Sequence, residues 1–241
     1  MVNTITYVGH ATVRIELDGV RLLTDPVLRP RVLHLRRVGP VPSDALRRVD
    51  AVLLSHAHWD HLDLPSLERI GKEVPIVCPQ GVSGLLRRKR FAHVTTLDVG
   101  EEIRIGELSV TGVHAEHEGA RGPLGASGEL GFVISGSLTI YFAGDTDLYD
   151  DLAALAPVDI ALVPVTGWGA KVGPGHLDPE RAAQAVSLLQ PKLAIPIHWG
   201  TLARIGRVPD PEPPHGFARH AAEIAPDVEV RILEPGASLD L

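Results

Sequence analysis

The chain has 241 residues, of which 44% are hydrophobic and 22% charged, and its formal net charge is −7. This apolar content is enough for one sizeable core, which excludes an intrinsically disordered chain, and the acidic balance argues against nucleic acid as a partner. A single cysteine excludes an internal disulfide and a multi-thiolate zinc or iron–sulfur site. A metal bound among the 12 histidines would therefore have nitrogen and oxygen ligands.

The sequence contains no recognisable targeting or membrane-spanning segment. Its first residues lack a basic run followed by an apolar stretch, and no apolar run reaches the roughly 20 residues that cross a bilayer. We therefore expect a cytoplasmic protein without integral membrane association. No linker or shift in composition divides the chain, which predicts one domain over residues 1–241 and leaves a homo-oligomer open.

The first half of the chain alternates short strands with helices. Strands are predicted over 4–8, 12–17, 20–24, 51–54 and 76–78, and helices over 43–48, 64–70 and 81–88. The Asp18-Gly19 pair is a strong hairpin signal. Residues 51–54 are wholly apolar, as in a strand covered on both faces. The Pro-rich segment 26–42 is predicted to be an irregular loop.

The second half repeats this order. A meander is predicted over 95–97, 103–105 and 108–112, a hairpin over 130–135 and 139–143, further strands over 160–163, 193–196 and 228–232, and helices over 151–155, 179–189 and 215–225. In both halves a hairpin ends in an aspartate, Asp25 or Asp145, and a Val-Asp pair then leads into an apolar strand. The echo suggests two β-rich halves, covered by helices and packed sheet on sheet.

The sharpest motif is the run Ser-His-Ala-His-Trp-Asp-His at 55–61, directly after the apolar strand 51–54. Side chains two positions apart in an extended chain point the same way, so His56 and His58 can hold one ion. Asp60 and His61 lie where the chain must turn and can face a second ion. A solvated polar loop is the alternative, but the leucine-rich flanks argue against it.

This motif alone has too few ligands for two metal ions, since each ion needs about four. Further candidates are His114 or His117, together with Asp145 and His198, since the last two follow apolar strands. A carboxylate such as Asp145 can bridge two cations with its two oxygens. Any one of these residues could be an ordinary satisfied polar group, but together with the motif they form a constellation at strand ends.

These motifs resemble those of the metallo-β-lactamase superfamily of binuclear metallohydrolases. The resemblance is carried by the histidine motif, His117, Gly144-Asp145-Thr146 and the Ile-His-Trp-Gly run that contains His198. Gly-His-Ala-Thr at 9–12, Leu-Thr-Asp-Pro at 23–26 and His-Leu-Asp-Pro-Glu at 176–180 are similar to the branch that holds L-ascorbate-6-phosphate lactonase and N-acylphosphatidylethanolamine phospholipase D.

The resemblance implies an α/β (α+β) fold, a four-layer αββα sandwich with metals at one edge between the sheets. It assigns one ion to His56, His58 and His117, the other to Asp60, His61 and His198, and a bridging role to Asp145. The cofactor is then two divalent ions. Zinc is expected, and manganese, iron and nickel accept the same ligands.

Two cations would lower the pKa of a bridging water and supply hydroxide. Asp60 would help to orient this nucleophile, and His176, just before the predicted helix 179–189, would protonate the leaving group. His10 and Asp25 would hold ligands by hydrogen bonds, although Asp25 could equally form a turn. His114 is expected beside the site. The three tryptophans, Trp59, Trp168 and Trp199, all lie in or near these motifs. They are expected either to line the substrate pocket or to pack near the site.

The sequence therefore predicts a metal-dependent hydrolase of a small, anionic substrate. Hydrolysis of a phosphodiester is the favoured reaction, because of the likeness to the phospholipase D branch. Hydrolysis of a lactone, ester or amide is the alternative. A diiron redox protein or a metal-binding scaffold is the third hypothesis, which the histidine-rich ligand set disfavours.

Overall fold

A computed structural model describes residues 2–117, 128–166 and 174–241 of the chain. The strands, in chain order, are β1 (Thr4–Gly9), β2 (Thr12–Leu17), β3 (Val20–Thr24), β4 (Arg31–Val32), β5 (Leu35–Arg37), β6 (Ala51–Leu53), β7 (Ile76–Cys78), β8 (Val94–Thr96), β9 (Glu102–Ile105), β10 (Leu108–His114), β11 (Leu130–Ser135), β12 (Thr139–Phe142), β13 (Ile160–Pro164), β14 (Leu193–Ile197), β15 (Leu202–Arg204), β16 (Glu229–Val230) and β17 (Ser238–Asp240). The helices are α1 (Leu64–Ile70), α2 (Gln80–Arg88), α3 (Pro179–Leu189) and α4 (Glu212–Ile224), and Ser43–Leu46 and Asp150–Leu155 form 3₁₀ helices.

The strands form two seven-stranded sheets and one small sheet. The large sheets have the orders β17-β1-β2-β3-β6-β7-β8 and β16-β14-β13-β12-β11-β10-β9, and the small sheet has the order β15-β5-β4. In the first sheet an antiparallel group from β1 to β3 continues in parallel from β3 to β8. In the second an antiparallel group from β9 to β12 continues in parallel from β12 to β16. Both sheets therefore have the same order of antiparallel and parallel strands, in agreement with the similar sequence patterns of the two halves.

The main core lies between the two large sheets. One buried cluster joins residues of the first sheet, such as Ile15 and Leu22, to residues of the second, such as Phe132 and Leu162. Helices α3 and α4 pack against the second sheet, and a separate cluster packs α1 and α2 against the first. This mixed arrangement of two sheets and flanking helices is the predicted metallo-β-lactamase type of fold. No helix in the described part of the chain has the length and apolarity needed to cross a bilayer.

Several element boundaries match the prediction because local signals specify them. Asp18 and Gly19 both have positive φ, 49° and 84°, as a two-residue hairpin requires. Asp63 and Asp178 accept hydrogen bonds from the first turns of α1 and α3, and each helix has proline at its start.

The predicted elements differ from the structure at several places. The segment 26–42 contains β4 and β5, which pair with each other, and β5 also pairs with the unpredicted β15. Strand β8 does not join a meander with β9 and β10 but extends the first sheet in parallel with β7. Strand β17 was not predicted and pairs with β1 at the edge of the first sheet. The short helices predicted over 43–48 and 151–155 are present as the 3₁₀ helices Ser43–Leu46 and Asp150–Leu155. The missed strands have two or three residues, too few for a periodic signal.

Candidate metal centre

The ends of four strands bring the candidate ligands together. The histidine motif follows β6, His117 follows β10, Asp145 follows β12 and His198 follows β14. Two buried clusters result, His56–His58–His117–Asp145 and His10–Asp60–His61–His198, and within each cluster the possible ligand atoms all lie within 4.8 Å of one another. These two groups could each hold a metal ion, and a third possible group, Asp25–His56–His61, takes one histidine from each.

The first cluster pairs the histidine motif with the strand end of β10. Nε2 of His117 lies 3.0 Å from Nδ1 of His58, and Nε2 of His56 lies 3.9 Å from Oδ2 of Asp145. His117 is buried in this cluster, whereas His114 is exposed and its Nε2 lies 3.1 Å from Oε2 of Glu116. Of the two alternatives that spacing left open, His117 lies in the cluster and His114 lies outside it.

The second cluster centres on Oδ2 of Asp60. This oxygen lies 3.0 Å from Nε2 of His10, 3.8 Å from Nε2 of His61 and 3.7 Å from Nε2 of His198. His10 reaches the cluster from the β1–β2 turn, where its φ of 60° is unusual for a residue other than glycine. Its backbone carbonyl accepts a hydrogen bond from the backbone N–H of His198, 2.8 Å away. His10 therefore joins the site more closely than its spacing in the sequence indicated.

Asp145 lies between the clusters. Its Oδ2 lies 3.1 Å from Nε2 of His61, and its Oδ1 lies 3.3 Å from Nε2 of His198, so this member of the first cluster also contacts two members of the second. The side chain is 1% exposed. This is the position that a carboxylate bridging two cations would need.

Four imidazoles are oriented through their Nδ1 atoms. Nδ1 of His61 lies 2.8 Å from Oδ2 of Asp25, and Nδ1 of His56 lies 2.8 Å from Oγ of Ser55. Nδ1 of His117 and of His198 each lie 2.6 Å from a backbone carbonyl oxygen, of Gly175 and Thr166 respectively. Since a carbonyl can only accept, His117 and His198 donate from Nδ1, and each Nε2 then presents a lone pair to the cluster.

The donor set fits divalent cations. Nε2 of His56 and of His58 and Oδ1 of Asp145 are buried, and no other described residue forms a hydrogen bond with them. Burying polar atoms without a partner costs free energy, which a bound cation would offset. Three imidazoles and one carboxylate per cluster are the ligand types expected of zinc and related ions, with thiolates absent from both described clusters.

At His61 burial is outweighed by the carboxylates of Asp145 and Asp60, which raise its pKa well above the ordinary value, but burial lowers the pKa of four other imidazoles of the site. It lowers the pKa of His10 to about 3, that of His58 to about 4, and that of His56 well below its ordinary value. Burial alone would raise the pKa of Asp145, but the neighbouring imidazoles of His198 and His61 hold it well below its ordinary value. Neutral imidazoles and an ionised carboxylate are the protonation states that bind metals.

His176 lies at the edge of the first cluster. Its Nε2 is 3.5 Å from Oδ2 of Asp145, its Nδ1 is 3.2 Å from the carbonyl oxygen of Pro174, and its ring centroid is 4.7 Å from that of His117. Burial lowers its pKa, but the hydrogen bond and charge of Asp145 outweigh this and raise it overall. The residue lies just before α3, as the sequence indicated.

The three tryptophans have different surroundings. Trp199 is buried, stacks on Tyr7 with ring centroids 5.9 Å apart, and donates from its indole N–H to the carbonyl of Pro196. It therefore packs in the core, which was one of its two predicted roles. Trp59 is 42% exposed beside the histidine motif. Trp168 lies outside the described residues.

Sequence reasoning missed the contribution of Ser55. Its hydroxyl lies 2.5 Å from Oδ2 of Asp25 and 2.8 Å from Nδ1 of His56, and its backbone N–H donates to Oδ1 of Asp25. Asp25 therefore supports His61 directly and His56 through Ser55, and it is more than a turn-forming residue. The only sequence signal was the position of serine at the start of the histidine motif.

Comparison of the sequence with protein families identifies its relatives. A family model for the beta-lactamase superfamily domain matches residues 20–199. The chain is also 33% identical to a UPF0173 metal-dependent hydrolase from Methanopyrus kandleri, over 98% of this chain and 99% of that protein.

Solved structures share the fold. A metallo hydrolase from Ignicoccus hospitalis superposes with a TM-score of 0.76 at 24% identity, covering 100% of this chain and 99% of that one. A diiron β-hydroxylase from Streptomyces venezuelae has a TM-score of 0.77 at 21% identity, covering 100% of this chain and 54% of that one. At these identities the likeness concerns the fold alone.

Proposed function

The chain belongs to the metallo-β-lactamase superfamily, among the metal-dependent hydrolases of the UPF0173 family, and from that premise we propose that it binds two divalent cations and hydrolyses a phosphodiester. The cations would be held by His56, His58 and His117 on one side and by Asp60, His61 and His198 on the other, with Asp145 shared.

One observation carries this proposal: the Nδ1 atoms of His56, His61, His117 and His198 all have acceptor atoms of the protein within 2.8 Å. Metal-binding histidines usually donate their second ring N–H in this way, which fixes the tautomer and the orientation of the ring. On the opposite side of the His56 ring, the buried Nε2 has no hydrogen-bond partner among the described residues, and this is the atom that would bind a cation.

A pair of divalent cations supplies a hydroxide nucleophile at neutral pH and stabilises negative charge on the substrate. The protein would contribute the position of each group. Asp60 would orient the nucleophile, and His10, whose Nε2 lies 3.0 Å from Oδ2 of Asp60, would hold that carboxylate by a hydrogen bond. Since both side chains are buried, this pair can stay fixed while a substrate binds and leaves.

His176 would protonate the leaving alkoxide. Its Nδ1 faces a backbone carbonyl, which leaves Nε2 as the atom that can transfer a proton towards the cluster. The ring stands beside both His117 and His198, at centroid distances of 4.7 and 6.3 Å. This position at the rim of the clusters supports a role in acid–base chemistry rather than in metal binding.

The choice of a phosphodiester rests on motifs. Gly-His-Ala-Thr at 9–12, Thr-Asp-Pro at 24–26 and His-Trp-Gly at 198–200 resemble the phospholipase D branch. Two cations would also offset the negative charge of such a substrate locally, although the whole chain carries −7. A lactone or ester hydrolase would use the same ligands, and the two hypotheses differ in substrate only.

An activity screen of the zinc- and manganese-loaded protein separates the hypotheses. The panel compares bis-(p-nitrophenyl) phosphate, phospholipids, a sugar-phosphate lactone and acyl lactones, with the His56→Ala variant as the inactive control. Faster hydrolysis of phosphodiesters would support the proposal. Faster hydrolysis of lactones would show that the substrate is a lactone and not a phosphodiester. An iron chromophore that cycles with reductant, without any hydrolysis, would contradict it.

A further inference from the structure

The small sheet carries a basic surface on an otherwise acidic protein. Arg31 of β4 lies directly opposite Arg36 of β5, and both are exposed. Arg204 and Arg207, also exposed, lie at the end of β15 and just beyond it. None of these four guanidinium groups forms an ion pair with a carboxylate in the described part of the chain.

Such a pair of opposed arginines is unfavourable by itself. Like charges directly across two strands destabilise a sheet, and here no acidic group relieves the repulsion. The other two arginines of this segment are neutralised or tied differently: Arg29 binds Asp63, and the buried Arg37 donates to the carbonyls of Val27 and Val8. Arg31 and Arg36 are therefore available to an anion from outside the chain.

Exposed apolar side chains stand beside these arginines. Leu33 is 53% exposed, Ile205 is 52% exposed and Val208 is 83% exposed. The backbone N–H of Ile205 donates to the carbonyl of His34, 3.0 Å away, which holds the hairpin turn against the segment after β15. Arg31 and Arg36 share one face of the small sheet, whereas Arg204 pairs with the buried Leu35 and lies on the opposite face. Leu33 and Ile205 lie at the end of this sheet beside Arg31 and Arg36, and Arg207 and Val208 follow shortly after in the chain.

Leu33 occupies a costly position. Its φ is 49°, in the left-handed region where a tight hairpin turn normally has glycine or asparagine. Arg31 donates from Nε to the carbonyl of this residue, at 2.9 Å, which helps to fix the turn. A large apolar side chain is therefore held at the exposed tip of the hairpin, where it contributes little to the core.

We propose that this surface, formed by Arg31, Leu33, Arg36, Ile205, Arg207 and Val208, docks the protein on an anionic phospholipid bilayer. The arginines would contact lipid phosphates, and the apolar tip would enter the interface between headgroups and acyl chains. Charge complementarity identifies this occupant, since the basic surface is local and the chain as a whole is acidic. The apolar tip favours a lipid interface over a purely polar polyanion.

Vesicle binding of the full-length, metal-loaded protein tests the proposal. We expect flotation with vesicles of mixed phosphatidylcholine and phosphatidylglycerol, little flotation with phosphatidylcholine alone, and weaker binding as salt is raised. The double variant Arg31→Glu/Arg36→Glu should bind the mixed vesicles about tenfold or more weakly. Its matched control is Arg88→Glu/Lys89→Glu, the same change of charge at the exposed end of α2, which should bind like the wild type.

The apolar tip is tested by the triple variant Leu33→Ser/Ile205→Ser/Val208→Ser, with Val99→Ser, another exposed apolar residue, as control. Circular dichroism and metal content verify folding, and Arg31→Gln/Arg36→Gln is a milder variant should the charge reversal misfold. Equal binding to neutral and anionic vesicles, or equal binding by both glutamate variants, would overturn the proposal. So would a dimer, seen by light scattering, that the triple variant dissociates while the wild type does not bind vesicles.

Discussion

Nδ1 of His61 lies 2.8 Å from Oδ2 of Asp25, and both side chains are fully buried. Asp25 directly follows β3 and has a φ of 34°, so the backbone is strained at the residue that supports the motif after β6. The same carboxylate accepts from the backbone N–H of Ser55, 2.7 Å away. One aspartate thus connects the end of one strand to the metal ligands that follow the neighbouring strand.

Replacing Asp25 with asparagine should weaken metal binding without removing a ligand. The substitution keeps the size of the side chain but replaces the carboxylate that accepts from His61, and loss of such a partner costs about 10- to 100-fold in metal affinity. Competition with a chromophoric chelator measures the change. Ser55→Ala is the companion variant, and its loss should be smaller because Ser55 contacts the first cluster through His56 only. Unchanged affinity in Asp25→Asn would contradict the assigned role.

His176→Ala should separate acid catalysis from metal binding. If His176 protonates the leaving group, hydrolysis of a substrate with a poor, alkoxide leaving group falls by about 10²- to 10⁴-fold, while a nitrophenolate substrate is affected far less. Metal content, measured by mass spectrometry, should stay at the wild-type level. Equal losses on both substrates with metals retained would assign His176 to positioning rather than to proton transfer.

Gly9→Ala should destabilise the fold beside the site. A β-carbon on Gly9 would lie 2.2 Å from Oγ1 of Thr201, and the φ of 126° is one that alanine rarely adopts. We expect a loss of at least about 1–3 kcal/mol in the free energy of unfolding, measured with urea on the chelated protein. Gly84→Ala is the control: it lies in α2 with open space around it, and it should stabilise the protein by about 0.5–1 kcal/mol.

Glu16 should contribute to stability at neutral pH but not in acid. The hydrogen bond from Nε of Arg14, at 2.9 Å, and the charge of Arg21 lower the pKa of Glu16 from its ordinary value of 4.5. A lowered pKa gives stability that is present above the unfolded pKa and lost as pH falls through the folded one. The difference in melting temperature between the wild type and Glu16→Gln should therefore shrink from about pH 5 to pH 3. Release of metal in acid affects both proteins, and Glu223→Gln serves as the control substitution.

The candidate ligands could be predicted because they share one local signal, a polar side chain at the end of an apolar strand. The histidine motif also has a spacing that points side chains together. His10 and Asp25 follow strands as well, but nothing in their spacing predicts that His10 contacts Asp60 or that Asp25 supports two imidazoles. Those contacts depend on the approach of β1 and β3 to residues far along the chain.

The hydrogen bonds that orient His117 and His198 could not be predicted from the types of side chain in the sequence. His117 and His198 donate to the backbone carbonyls of Gly175 and Thr166, and every residue has a carbonyl. The small sheet was missed for a related reason, because strands of two or three residues show no alternation, and the apolar Leu33 at a left-handed turn contradicts the usual turn signal.

Metal titration of the chelated protein tests the central claim most directly. Zinc or cobalt is added to the wild type, bound metal is counted after desalting, and hydrolysis of the best substrate from the screen is followed in the same samples. The two-cation account predicts two ions per chain, activity that appears as they bind, and a loss of both metal and activity in Asp145→Ala. Full activity in the chelated protein, or saturation at one ion per chain with full activity, would contradict it.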